Sequence, residues 1–139
     1  MIDNYLNLSI EEIEKEKWEN LQEYPTNLIK RAYEIRRKKI SDYGLDDYRI
    51  AIDQDMGVEI LVPFAVEKLK SNILLEAIYY PGDLLFTVLK KGAYWRNHLI
   101  ESDRFKSYLI RKRTEIVETT EITDEIKEKL LSAVDAFIN

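Results

Sequence analysis

At 139 residues with 45% apolar side chains, the chain is long enough to bury a core without staples. It contains no cysteine, which excludes disulfides, thiolate nucleophiles and Cys-type zinc sites. Its net charge of −5 argues against general nucleic-acid binding, which needs a basic surface. The charge is blocky, with residues 30–39 and 106–113 basic and 11–23, 42–59 and 115–128 acidic. The opening Met1-Ile2-Asp3-Asn4-Tyr5 lacks the basic start and apolar run of a signal peptide. No stretch approaches the roughly 20 apolar residues of a membrane span. The expectation is a single domain over 1–139, cytoplasmic and away from membranes.

Ser9 with Glu12 has capping-box spacing and predicts a helix reaching residue 17. Trp18 and Leu21 follow as apolar anchors before the Tyr24-Pro25 break. Thr26 caps a second helix, ended by the basic run Arg36-Arg37-Lys38-Lys39. A third helix spans 45–56, with Leu45, Tyr48, Ile52 and Met56 at helical intervals and Gly57 as its stop. The fourth, 59–70, is apolar nearly all round and should be the most buried; Pro63 is expected early in it, where a missing N–H costs little.

Residues 73–80 read either as a short strand or as an extended connection. Tyr80-Pro81-Gly82-Asp83 is a turn in which Pro81 presets φ and Gly82 adds freedom, while Asp83 caps the next helix or sits in its first turn. Leu84, Leu85, Val88 and Leu89 follow at helical spacing, and Tyr94 and Trp95 add bulk. Two further helices are predicted, over 102–117 and over 124–137, the last capped by Thr123. The fold class is therefore all-α, with six or seven short helices and at most a minor extended segment near 73–80.

Catalytic chemistry is hard to assemble from these residues. There is one histidine, His98, and no nucleophile-elbow pattern. Four scattered glycines write neither a P-loop nor a dinucleotide fingerprint. Asp53-Gln54-Asp55-Met56-Gly57 resembles a calcium loop at first sight, but its glycine falls fifth and Phe64 stands where the twelfth-position glutamate belongs. No metal site is expected. Tyr79 and Tyr80 are adjacent, so an extended backbone would bury one and present the other.

These pieces, in this order, resemble the immunity proteins of contact-dependent growth inhibition (CDI) systems. Ser9 to Glu14 with Trp18 resembles the family's acidic opening helix, and Ala32, Arg36 and Lys38-Lys39-Ile40 its basic stretch. Leu45-Asp46-Asp47-Tyr48-Arg49 with Ile52, Gln54 and Gly57 resembles the family's next helix. Leu61, Pro63, Ala65 and Leu69 resemble its Leu-x-Pro-Leu-Ala helix, and Tyr80 to Leu85 with Leu89 and Trp95 its most recognisable motif. The resemblance covers 9–95. Ile40 and Tyr48 depart from the pattern, and a helical extension over 102–139 lies outside it.

The resemblance implies an antitoxin that binds the C-terminal toxin domain of a CDI effector and blocks it by stoichiometric occlusion. It implies no enzyme activity and no cofactor. An acidic chain suits a cationic nuclease as that toxin. The expected toxin contacts are Asp46, Asp47, Asp53, Asp55, Glu59, Glu76 and Asp83, with Tyr80 as an anchor. Gly57, Pro63, Pro81, Gly82 and Trp95 are read as fold-keeping positions. Two other readings remain open: a helical interaction adaptor unrelated to toxins, and a nucleic-acid-associated protein using 30–39.

Overall fold

A computed structural model of the chain describes residues 2–139; Met1, the first residue of the opening stretch read above, lies outside them. The fold is all-α, with eight α-helices and no strand among the described residues. The chain divides into two compact units, Met1–Phe64 and Ala65–Asn139.

The first unit contains α1 (Ile10–Glu14), α2 (Asn27–Arg37) and α3 (Leu45–Asp53). The capping box forms as expected: Glu12 N–H donates to Ser9 Oγ at 3.1 Å, and Ser9 N–H to Glu12 Oε1 at 3.0 Å. The helix nevertheless ends three residues early, because Lys15 turns left-handed at φ 56°. Thr26 caps α2 through the Ile29 N–H. Ile35, Ile40 and Ile52 are buried, whereas Leu28 is exposed. Two backbone bonds, Ile40 N–H to Leu8 O and Ser41 N–H to Leu6 O, tie the opening segment to the chain leaving α2. Tyr43 donates its hydroxyl to Ile35 O at 2.9 Å. Gly57 stands at φ +57°, and a Cβ there would lie 2.9 Å from Ile10 Cδ1. The backbone angle favours glycine, and a Cβ would press on the Ile10 side chain.

Helix α4 (Val58–Leu69) starts one residue before the expected position. Pro63 is its sixth residue and falls in the second turn, not in the first turn where proline is harmless.

The second unit contains α5 (Asp83–Leu89), α6 (Gly92–Arg96), α7 (Leu99–Glu118) and α8 (Asp124–Ile138). Residues 73–80 make bends and turns closed by one isolated bridge, Glu76 to Pro81, so the connection alternative holds and the strand does not. Helix α6 was not anticipated as a helix. It carries Trp95, whose Nε1–H donates to Val88 O at 3.0 Å. The indole stacks on Phe105 and meets Phe137 edge-on, both at 5.1 Å. Thr123 caps α8 through the Ile126 N–H. Lys127 donates to Val117 O and Thr119 O, closing the end of α7 where a cation suits the helix dipole. The Tyr108 hydroxyl donates to Leu69 O.

Candidate functional site

The acidic residues expected at a binding surface occupy very different positions. In the first unit the acidic block meets the basic block of α2. Asp47 is 1% exposed and accepts from Arg31 Nη2 at 3.0 Å, Lys38 Nζ at 2.8 Å and the Gly44 N–H at 3.0 Å. The last bond is the N3 half of a capping box; the other half is missing because Gly44 has no side chain. Asp46 shares the same guanidinium at 3.0 Å but keeps half its side chain in solvent. Asp47 was expected at a contact face; instead two cations and a backbone N–H hold it inside.

The run 30–39 is largely engaged within the unit. Arg36 is 3% exposed and donates to Glu14 Oε1 at 2.7 Å and Glu16 O at 2.8 Å, with its guanidinium 4.8 Å from the Trp18 ring centroid. Arg37 donates to Asn20 Oδ1 and approaches Glu11 at 4.0 Å. The nucleic-acid reading of this run loses most of its cations to those partners.

Asp53 closes α3 and is half-buried, while Asp55 and Glu59 are exposed. Asp55 holds a left-handed backbone at φ 59°. Near it a groove of about 350 Å³ opens, lined by Glu14, Glu16, Trp18, Ile29, Ala32, Arg36, Gln54, Asp55 and Met56. Glu16 and Trp18 were not singled out as a site in the sequence. Their only signal was the acidic opening segment with a tryptophan behind it.

In the second unit Asp83 is fully buried. Its carboxylate accepts three successive backbone N–H groups, Ala77 at 2.7 Å, Ile78 at 2.9 Å and Tyr79 at 2.8 Å. The residue sits in the first turn of α5, behind Gly82 at φ +96°. Expected to substitute for phosphate at a toxin cleft, Asp83 instead organises the turn before it. Glu76 is exposed. Tyr80 is half-buried, with Lys129 Nζ 6.0 Å from its ring centroid, and the presented tyrosine of the pair is Tyr79, 70% exposed. A basic groove of about 570 Å³ lies along α7, lined by Lys70, Arg104, Ser107, Tyr108, Arg111 and Lys112.

Burial raises the phenol pKa of Tyr43, with a further push from the Asp47 carboxylate, and raises that of Tyr48 to about 12. Neither is poised for proton transfer near neutrality. His98 stacks on Tyr94 at 4.2 Å. Among the described residues no three His, Cys, Asp or Glu side chains are grouped to hold a metal ion. No helix among them is long and apolar enough to cross a membrane.

The family profile of CDI immunity proteins matches residues 12–104, well over half the chain. The chain belongs to this family, whose role is immunity against CDI toxins. No curated protein and no solved structure matches it.

Proposed function

We propose that the chain neutralises the C-terminal toxin domain of a CDI effector by one-to-one occlusion in the cytoplasm, without catalysis, and that the toxin is a nuclease. The observation that carries this reading is the placement of charge. Met1–Phe64 holds 14 acidic and nine basic side chains, while Ala65–Asn139 holds 12 of each, so the whole net −5 falls on the first unit. Nuclease surfaces that bind a phosphate backbone are cationic. A segregated acidic surface attracts and orients such a partner.

Asp53 closes α3 and Asp55 follows its C-cap, and both keep surface open to a partner. Of the expected contacts, Asp46, Asp53, Asp55 and Glu59 in the first unit retain surface, as do Glu76 and Tyr80, taken separately, in the second. A standard interface buries about 1,600 Å² in all, so they are part of a larger set.

Titration calorimetry against the C-terminal domain encoded immediately upstream, with toxin activity followed on the same mixtures, tests the proposal. Tight one-to-one binding with loss of activity is expected. No binding, with the toxin still active, refutes it. Reversing charge at Asp53 and Glu59 together should slow association and flatten its salt dependence.

A further inference from the structure

We infer that α7 pairs antiparallel with α7 of a second copy of this chain, about a two-fold axis at residue 108. The inference goes beyond the immunity reading and does not depend on it. Exposure, register and charge carry it.

Four of the seven large apolar side chains exposed among the described residues, Leu99, Ile100, Ile110 and Val117, stand on this one helix. The helix buries a different face, through Phe105, Leu109 and Ile116. At about 100° per residue, positions 99, 103, 106, 110, 113 and 117 fall within an arc of about 80°. They alternate four and three residues apart, the spacing of a seam between two paired helices. Along it run Leu99, Asp103, Lys106, Ile110, Arg113 and Val117. Leu99 keeps 69% of its surface in solvent, Ile110 59% and Val117 42%.

The register selects the occupant. In a two-fold antiparallel pair, each residue meets the one equally far on the other side of the axis. Leu99 then meets the second copy's Val117, Asp103 its Arg113, and Lys106 its Ile110. The first contact is apolar on both sides. The second joins opposite charges. Arg113 holds Asp135 through Nε and Nη2, at 2.7 and 2.8 Å, which leaves Nη1 for a further carboxylate. The third lays the aliphatic stem of a lysine along an isoleucine while its ammonium reaches water. The axis repeats each contact, so every position of the seam is matched. A parallel pair would instead set Asp103, Lys106 and Arg113 each against its own like charge. An anionic lipid surface would meet a like charge at Asp103, in the middle of the stripe.

Six side chains from each copy fall well short of the roughly 20–30 of a standard interface, so the dimer is weak and concentration-dependent. Sedimentation velocity of the full chain between about 5 and 500 µM should show the mass rising from one chain toward two. Ile110→Lys sets a lysine against the second copy's Lys106 and should raise the dimer dissociation constant at least about tenfold. The chain has no cysteine, so an introduced disulfide reads the register without background. Leu99→Cys combined with Val117→Cys should link two chains under mild oxidation. Neither change alone should do so, because the two copies of position 99 would stand about 27 Å apart. A chain that stays monomeric throughout this range would overturn the pairing. Single variants that link as fast as the combined one would overturn it too, as would an Ile110→Lys chain that dimerises like wild type. A monomer whose binding to the upstream-encoded toxin domain is lost in Ile110→Lys would assign this face to the toxin and end the dimer reading.

Discussion

Asp83 was expected to meet a partner and instead meets its own backbone, which makes its removal an informative perturbation. In Asp83→Ala three N–H groups within one turn lose a common acceptor, at distances of 2.7–2.9 Å. Hydrogen bonds to a charged group contribute about 1.5–3 kcal/mol each, so simple addition gives about 4.5–9 kcal/mol. That sum is too large on two counts. The buried carboxylate carries a desolvation cost that disappears with it. Tyr79 is 70% exposed and Ala77 and Ile78 are half-buried, so water can take over part of the bonding. A loss of about 3–5 kcal/mol remains, a large part of the roughly 5–15 kcal/mol available to a domain. Asp83→Asn keeps one acceptor oxygen but turns an amide donor toward an N–H, and should cost about 2–3 kcal/mol. Urea denaturation followed by circular dichroism reads both values from the midpoint and slope. Toxin affinity of the fraction that remains folded should be unchanged. A cost under about 1 kcal/mol for Asp83→Ala, or a stable variant that no longer binds toxin, would show that the carboxylate serves the partner and not the turn.

Asp47→Ala should cost about 2–4 kcal/mol, because it strips a buried carboxylate from Arg31, Lys38 and the Gly44 N–H, whereas Asp46→Ala should cost under about 1 kcal/mol; the two denaturation midpoints decide. Gly82→Ala should cost about 2–3 kcal/mol in the same assay, since φ is +96° and a Cβ would stand 2.6 Å from Leu130 Cδ2. The two hydrogen bonds from Arg113 hold the Asp135 carboxyl below its usual range. A folded-state pKa lowered from 3.8 gives stabilisation that is present above that value and is lost as pH falls through the lower folded one. Stability of the wild type should therefore fall more steeply below about pH 4 than that of Arg113→Gln, and parallel curves would rule the pair out.

The local signals in the sequence translated directly into structure. The Ser9, Thr26 and Thr123 caps all form, each accepting from the N–H three residues on. Each depends on residues three apart, and the same is true of the apolar spacing that placed α2, α4 and α8. Gly57 and Gly82 were legible for a related reason, because a positive φ is written in the residue type itself. The early end of α1 was not, since Lys15 carries no mark of a left-handed position. The acidic residues were misjudged for a different reason. Asp47 is buried because Arg31 and Lys38, 16 and nine residues away, arrive to neutralise it. Arg36 is buried because Glu14 waits 22 residues earlier. A run of like charge looks like a solvated surface until its counter-run is placed beside it, and no periodicity encodes that meeting.

The consequence reaches beyond these residues. A carboxylate can answer to the chain's own backbone and cations or to another molecule, and burial separates the two uses. Asp47 and Asp83 are spent on Gly44 and on the 77–79 turn, so changing them should unfold the protein before it alters partner choice. Glu16, Asp53, Asp55 and Glu59 keep surface, and changing them should alter affinity before stability. An antitoxin that must match one toxin needs this separation. If recognition rested on the carboxylates that close its turns, every change of partner would cost several kcal/mol of a stability that is itself only about 5–15 kcal/mol. Recognition on exposed carboxylates would let those be rewritten while α2 and its counter-charges stay as they are.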